Sequence, residues 1–323
     1  MQRREPLYRA YWTFAAERQR IFQRRIAGLP EPWTEDPILY RYRFTNPWRA
    51  SDRVTQFLIR DVIYRHPDLP PEDLVVRVVL ARLFSKPSTW RAIEGRVGLV
   101  RASTLNDPRL GRLLEELQAA GPIYTSAFIL CATKAYGHER KYLNHLALLR
   151  DMVRKRLPRA IASARRLKDV YDALAEFPLI GPFMAYQLAI DINYSELVDF
   201  SENEFTVPGP GAERGIRKVF PTASRREMPA IIQRMVEEQH AACLALDIDP
   251  PTLFGRSLHA VDCQNLFCEL DKYARVRYPE LQSNRSRIKA QFAPSPEPIR
   301  LFYPPKWGIN ERLPAQLRLF AAA

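Results

Sequence analysis

The sequence predicts an all-α fold, and three observations support this. Apolar residues recur at helical spacing through most of the 323-residue chain, which is the pattern of amphipathic helices. Prolines such as Pro71 stand at the start of such segments, where their fixed backbone angle suits the first helical turn. Strand signals are weak, and residues 204–207 form the best short candidate.

The first predicted helix, over residues 6–27, shows the pattern most clearly. Tyr8, Tyr11 and Phe14 lie on its apolar side, and arginines fill the opposite side. The Pro-rich segment 29–33 then interrupts the helical pattern. The same reasoning predicts further helices at 52–64, 71–84, 87–94, 108–119, 122–136, 139–156, 166–176, 182–192, 212–219, 227–246 and 262–278.

The charge balance indicates a partner class. Lysine and arginine together number 49 against 36 acidic residues, which gives a formal net charge of +13 and a pI near 9.8. Such a protein favours phosphate backbones. The alternatives are a protein that is merely basic and one that lies on an acidic membrane surface. We expect double-stranded DNA as the partner and a monomeric protein.

Other classes of function lack their signatures. The four cysteines form no Cys-x-x-Cys pair and the five histidines do not pair at metal-ligand spacing, so we expect neither a metal nor a cofactor. The segment after Met1 lacks the apolar core of a signal peptide. No run of about 18 apolar residues occurs, and we expect a cytoplasmic protein without a membrane segment.

A first candidate site is the helical hairpin around residues 177–185. A turn containing Gly181 and Phe183 separates two predicted helices. Such a turn can present backbone N–H groups to a DNA phosphate, and Gly181 permits close approach of the backbone. The alternative is an ordinary turn between two helices.

A second candidate is the loop 201–212 with the helix after it. Glu202 and Glu204 precede a Gly-Pro-Gly turn at 209–211 that leads into a helix. This arrangement suits a phosphate or a base oxygen, although a rigid helix-entry loop would look the same. The candidate phosphate contacts are Gly209, Gly211, Arg214, Arg217 and Lys218.

The third candidate is the helix predicted to begin at Asp262. Asp262 is a good N-cap, and that structural role is the alternative to a catalytic one. A polar stripe follows on one helix face. Amides there suit base edges, and carboxylates suit a developing cation or an activated water. The stripe comprises Asp262, Asn265, Glu269, Lys272 and Tyr273, and Gln264 is a further candidate base contact.

The fourth candidate comprises residues 33–39 and 43–56, in which aromatic residues, Asn and three arginines lie close together. Aromatic rings can stack on an extruded base, and arginines can hold the flanking phosphates. The alternative is an arm that packs against the core. The candidate base contacts are Phe44, Asn46, Arg49, Arg53 and Gln56.

Taken in order, these segments resemble a family associated with DNA base hypermodification. It is described as alpha-glutamyl/putrescinyl thymine pyrophosphorylase-like, or as the helical domain attached to 5-hydroxymethyluracil DNA kinases. The resemblance rests on Arg43-Phe44-Thr45-Asn46, on Gly209-Pro210-Gly211-Ala212 and on the segment from Asp262 to Tyr273. It implies a helix-hairpin-helix DNA glycosylase-like helical fold with functional loops, and it includes modified-base glycosylases of phage defence in bacteria or phages.

We expect one such helical domain over residues 1–291, either as a single body or as two closely packed lobes that meet at an active-site cleft. An extended arm rich in proline and aromatic residues would follow over 292–323.

Our leading prediction is a DNA glycosylase that excises a bulky 5-modified pyrimidine, such as glucosylated hydroxymethylcytosine, after base flipping. Asp262 would be catalytic, with Glu204 as its rival and Glu202 and Glu269 as further candidates. The alternative is a transferase that displaces phosphate or pyrophosphate from a 5-(pyro)phosphomethyl pyrimidine and installs an amine or amino acid. A non-catalytic reader of modified DNA is a third class. No phosphate-binding kinase loop occurs, which argues against kinase chemistry.

Overall fold

The structure is a computed structural model that describes residues 2–125, 134–281, 288–293 and 299–317. It confirms the all-α prediction. In these ranges the extended contacts are the isolated bridges that pair Tyr42 with Gln291 and Leu253 with Arg256, and no strand forms. The strand predicted at residues 204–207 is therefore wrong, because this segment finds no partner to pair with.

The α-helices follow in chain order. They are α1 (Glu5–Ile26), α2 (Pro37–Arg41), α3 (Arg53–Phe57), α4 (Pro71–Phe84), α5 (Pro87–Val97), α6 (Pro108–Ala120), α7 (Lys141–Arg154), α8 (Leu157–Ala162), α9 (Leu167–Ala175), α10 (Pro182–Asn193), α11 (Pro210–Val219), α12 (Met228–Ala245) and α13 (Ala260–Arg277). Short 3₁₀ turns occupy Arg49–Ser51, Ala102–Asn106, Pro305–Trp307, Asn310–Arg312 and Ala315–Leu317.

The helix predicted at 52–64 differs most from the structure. It begins at Arg53 and changes into a π-helical turn over Leu58–Ile63. The buried guanidinium of Arg77 donates to the Val62 carbonyl at 3.1 Å, and side chains that insert in this way disturb the regular helical ladder. The helix predicted at 122–136 falls mostly outside the described residues, and residues 122–125 are not helical.

The chain forms two compact units, one of residues 1–52 with 205–323 and the other of Arg53–Glu204. The predicted domain over 1–291 with a separate arm remains a prediction. None of the described helices is long and apolar enough to span a membrane.

In the first unit, α13 packs against α1, α11 and α12. The approach of α11 depends on glycine. A Cβ added to Gly215 would lie 2.0 Å from the carbonyl oxygen of Phe267, and one added to Gly211 would lie 2.3 Å from Sγ of Cys268. A side chain at position 215 would therefore force the two helices apart, and one at position 211 would displace the sulfur of Cys268.

The core of the second unit contains an ion pair between Arg82 on α4 and Asp191 on α10. The two groups form two hydrogen bonds, of 2.5 Å and 2.8 Å, and both side chains are almost fully buried. Removing one partner from such a pair typically lowers the free energy of unfolding by about 3–5 kcal/mol, because the other charge stays buried without a counter-ion. This pair therefore helps to fix α4 against the α9–α10 hairpin.

Candidate functional site

The N-terminus of α13 shows what Asp262 does locally. The helix begins at Ala260, so Asp262 lies inside the first turn and is not the N-cap. Its buried carboxylate accepts the backbone N–H of Arg49 at 2.8 Å and that of His259 at 3.0 Å. Both bonds fix backbone, and one of them ties the 3₁₀ turn at Arg49–Ser51 to α13. The N-cap predicted at Asp262 is His259 in the structure, three residues earlier.

Two turns further along α13, Glu269 anchors a pair of lysines. Its Oε1 accepts from Nζ of Lys272 at 2.6 Å, and its Oε2 lies 2.7 Å from Nζ of Lys289. The backbone N–H of Thr45 also donates to Oε2, at 3.0 Å. Burial of Glu269 opposes its ionisation, but the two ammonium groups prevail and lower its pKa to about 2. Glu269 is thus a fixed anion at neutral pH, unsuited to exchanging protons.

Asp52 has the opposite character. Its Oδ1 accepts the backbone N–H of Asn46 at 2.8 Å. Its side chain keeps part of its surface accessible although protein atoms surround it closely. Burial, with the charge of Glu269 added, raises the pKa of Asp52 to about 6, and the charges of Arg18 and Lys289 only partly counter this. Asp52 can therefore gain and lose a proton near neutral pH, as general acid–base catalysis requires. Asp52 was not among the site residues predicted from the sequence.

Amide groups line the same region. Asn265 donates from Nδ2 to Oγ1 of Thr45 at 3.1 Å and to the carbonyl of Asn46 at 3.2 Å. Asn46 donates in turn to the Ser51 carbonyl at 2.7 Å. The buried oxygens Asn46 Oδ1 and Gln264 Oε1 have no hydrogen-bond partner in the part of the chain that the structure describes. Buried polar atoms are rarely left unsatisfied, so these two acceptors are suited to a ligand donor.

Two of the predicted base contacts serve mainly in packing. Phe44 is buried, and its ring meets those of Phe14 and Tyr273 edge-on. The hydroxyl of Tyr273 donates to Asp36 at 2.6 Å. Phe44 is therefore not an open stacking platform, and the alternative of a core-packing arm describes it better.

The loop 205–212 and α11 also differ from the expectation. Lys218 is buried and lies 3.0 Å from a carboxylate oxygen of Asp271, and Arg214 donates to the same carboxylate at 3.0 Å. These two cations are engaged inside the protein, whereas Arg217 is exposed. Gly209 is the N-cap of α11, and Gly211 gives the close approach to Cys268 described above. Gly211, Arg214 and Lys218, which were predicted as phosphate contacts, thus take part in packing and ion pairs within the protein.

The remaining predicted site residues lie in the unit Arg53–Glu204. Glu202 is buried, whereas Glu204 is exposed and accepts weakly from the backbone N–H of Leu167 at 3.4 Å. Arg53 is exposed, and Gln56 is buried on α3. The structure therefore brings Asn46, Arg49, Asp262, Gln264, Asn265, Glu269, Lys272 and Tyr273 together in one unit, and it assigns Glu202, Glu204, Arg53, Gln56, Gly181 and Phe183 to the other.

The hairpin between α9 and α10 forms, but not through the expected use of glycine. Gly181 has an ordinary φ of −72° as the N-cap of α10, and a Cβ there would meet nothing within 4 Å. Leu179 takes the left-handed conformation instead, with φ of 73°. Gly181 and the half-buried Phe183 leave this turn open to an approaching backbone.

A basic segment near this hairpin was missed. Residues 154–168 contain seven cationic and no acidic residues, and all seven cationic residues are exposed. Nζ of Lys155 lies 5.2 Å from the ring centroid of Phe177, at the start of the hairpin turn. Arg156, Arg159 and Arg165 form no ion pair with the described residues. The signal was available in the sequence as an uninterrupted basic run.

Within the described residues, no group of three or more His, Cys, Asp and Glu side chains is arranged to hold a metal ion.

Comparison with known proteins identifies the family. The family model described as "5-hmdU DNA kinase, helical domain" matches residues 5–283. The chain belongs to this family. The "5-hmdU DNA kinase" of Bacillus phage SP10 is 28% identical over 243 residues, which cover 68% of this chain and 38% of that protein. The chain thus spans less than two fifths of the length of this curated relative. No solved structure matches.

These findings correct the leading functional prediction. The matched family and relative are named for phosphate transfer to a modified base, whereas we predicted hydrolysis of the glycosidic bond. The glycosylase prediction is therefore wrong, and the transferase alternative agrees better with the family. The resemblance to a hypermodified-base family is confirmed, while the glycosylase-like form of the fold is not shown.

Proposed function

We propose that this chain is a transferase acting at the 5-substituent of a modified pyrimidine in DNA. It would displace phosphate or pyrophosphate from a 5-(pyro)phosphomethyl group and install an amine or amino acid. The observation that carries the proposal is the lysine pair held by Glu269, because it provides fixed positive charge for an anionic leaving group. The family supports the proposal, since phosphorylation of a 5-hydroxymethyl group generates such a leaving group.

The lysine pair suits a departing phosphate for a physical reason. Lys272 and Lys289 keep only about a fifth of their side-chain surface exposed, and each contacts Glu269 within 2.7 Å. One carboxylate between two ammonium groups leaves an excess positive charge in a partly desolvated position. Preorganised charge in such a position stabilises negative charge that develops in a transition state.

Asp52 supplies the complementary proton transfer. The carbon–oxygen bond breaks and its electron pair leaves with the phosphate, and the amine nitrogen forms a bond to the methylene carbon. The nitrogen must then lose a proton, and the ionised carboxylate of Asp52 can accept it. A pKa of about 6 keeps Asp52 mostly ionised at neutral pH while still able to take up a proton.

The exposed basic segment 154–168 would bind the DNA backbone. Its arginines offer charge-assisted hydrogen bonds to phosphate oxygens, and the overall charge of +13 favours the same partner. The open turn at Gly181 provides backbone N–H groups for one further phosphate.

A second candidate is phosphate transfer to the 5-hydroxymethyl group itself, which the name of the phage relative favours. One experiment distinguishes the two. The chain is incubated with duplexes carrying 5-hydroxymethyluracil, its 5-phosphomethyl form or its 5-pyrophosphomethyl form. Each duplex is supplied with ATP or with a mixture of amino acids and diamines, and the nucleosides are analysed by mass spectrometry.

Group transfer predicts an aminated nucleoside from a phosphorylated duplex without ATP, whereas kinase activity predicts phosphomethyl product only with ATP. Lys289→Met should reduce amination strongly, and Lys134→Met serves as the matched control because Lys134 pairs with Glu139 at the surface. Absence of aminated product from every duplex would refute the proposal.

A further inference from the structure

Among the cysteines that the structure describes, Cys268 differs from the others in its exposure to solvent. Cys243 and Cys263 are fully buried, whereas Cys268 is partly exposed. Its Sγ lies 3.3 Å from Nζ of Lys272, a geometry in which the lysine donates to the sulfur. Cys268 therefore lies between an ammonium group and solvent, which is the environment of reactive rather than structural cysteines.

The Gly-Pro-Gly turn adds a second positive influence on this sulfur. Gly211 lies in the first turn of α11, and a Cβ there would overlap Sγ of Cys268 at 2.3 Å. The sulfur thus lies directly against a helix N-terminus, where partial positive charge accumulates. Any side chain at position 211 would displace the sulfur from this place.

A third observation points to a ligand at the same helix face. Gln264 precedes Cys268 by one helical turn, and residues four apart lie on one face. Gln264 is 4% exposed, and its Oε1 has no hydrogen-bond partner among the described residues. Oδ1 of Asn46 is likewise buried and unpartnered there. Oxygen acceptors of this kind can bind the N3–H donor of a uracil-type base. Lysine and arginine side chains cannot do so, because they have no acceptor atom.

We propose that Cys268 is the covalent nucleophile of the group transfer, adding through its sulfur to C6 of the modified pyrimidine. Gln264 and Asn46 would hold the imide edge of the same base. This inference rests on the proposed transferase function and identifies a catalytic residue for it.

The step balances in electrons and atoms. The thiol of Cys268 gives up its proton to a base as its sulfur forms a bond to C6, and the C5–C6 double-bond electrons move to C5 and the O4 carbonyl as an enolate. Collapse of the enolate forms a double bond from C5 to the exocyclic carbon and expels the phosphate or pyrophosphate with its electron pair. The amine then adds to the exocyclic carbon, its proton passes to a base, and the resulting enolate expels the thiolate from C6.

This route explains why a thiol and a lysine pair belong together. Covalent catalysis divides one difficult displacement into two easier steps. The sulfur supplies electron density to the pyrimidine ring by bonding to C6. The ammonium groups stabilise the phosphate or pyrophosphate anion that leaves the exocyclic carbon. Lys272 contacts both Cys268 and Glu269, so it links the two functions.

The test omits the amine. Wild-type protein incubated with 5-(pyro)phosphomethyluracil duplex alone should accumulate a covalent protein–DNA species. This species would survive denaturing electrophoresis, and its mass would equal protein plus oligonucleotide minus phosphoric or pyrophosphoric acid. Adding the amine should release it as aminated DNA. A merely structural thiol would give no such species.

Three variants complete the experiment. Cys268→Ser should abolish the covalent species and reduce amination by about three orders of magnitude or more, with an unchanged melting temperature. Gly211→Ala should reduce both readouts because it displaces the sulfur. Cys243→Ala is the control and should keep both.

The outcomes separate the two proposals. Amination by Cys268→Ser within about threefold of wild type would overturn the role of the thiol and leave the transferase function intact, since a nucleophile cannot be lost at so small a cost. A covalent species that releases no aminated DNA with any amine would support the thiol and refute the transferase function. Wild-type protein that gives neither product would refute both.

Discussion

Replacing Asp52 by asparagine should stabilise the protein, although Asp52 is a proposed catalytic group. Its pKa of about 6 exceeds the ordinary value of 3.8, so the folded state holds the proton more tightly than the unfolded chain. The free energy of unfolding therefore decreases as pH rises through this range. At about 1.36 kcal/mol per pH unit, the cost at neutral pH is roughly 3 kcal/mol, of which about 2 develops between pH 4.5 and 7.

Asparagine removes the charge and keeps an oxygen that can accept the Asn46 N–H. The difference in unfolding free energy between Asp52→Asn and wild type should therefore grow by about 2 kcal/mol from pH 4.5 to 7. Urea denaturation at several pH values measures it. Asp249→Asn is the control, because that carboxylate is exposed. An unchanged or smaller difference at pH 7 would show that Asp52 is not destabilised in the folded state.

Three further predictions concern other residues of the two units. Gly215→Ala should destabilise the protein by about 3 kcal/mol or more, because the added carbon overlaps the backbone of α13. Gly111→Ala should instead stabilise the protein by up to about 1 kcal/mol, because a Cβ at that position meets no other atom. Thermal unfolding of the two variants compares these effects. Replacing Arg156 and Arg159 together by alanine should weaken DNA binding and lower the slope of log affinity against log salt by about 2. Asp262→Asn should lower the free energy of unfolding by about 1–3 kcal/mol, because the NH₂ group of asparagine would face one of two backbone N–H donors. Equal stability of the variant and the wild type in denaturation would contradict this.

Local patterns in the sequence predicted the helices well. Proline at the first turn and the 3.6-residue period mark α1, α4 and α10 almost to the residue. The π-helical turn at Leu58–Ile63 was not predictable in this way, because it depends on Arg77 from a different helix. Tertiary contacts of this kind leave no trace in the local periodicity.

The candidate site was predicted in composition but not in the roles of its members. The stripe from Asp262 to Tyr273 was identified from helical spacing, and the structure confirms that these residues share α13. The function of each member depends on its distant partners. Lys289 makes Glu269 a permanent anion, and backbone from residues 49 and 259 occupies both oxygens of Asp262.

The contrast between Glu269 and Asp52 gives the site its chemical character. Two carboxylates in one unit have pKa values near 2 and near 6, because one contacts two lysines directly while the other is buried with weaker compensation. When the pKa values of two carboxylates differ in this way, one can act as a fixed charge and the other as a proton acceptor. The proposed displacement by an amine would use both groups, one as a fixed anion that positions cations and the other as a proton acceptor. The glycosylase prediction placed Asp262 in the catalytic role, yet both oxygens of that carboxylate are used to fix backbone. The distribution of partners among the three carboxylates, rather than their spacing in the sequence, therefore favours group transfer at the base substituent.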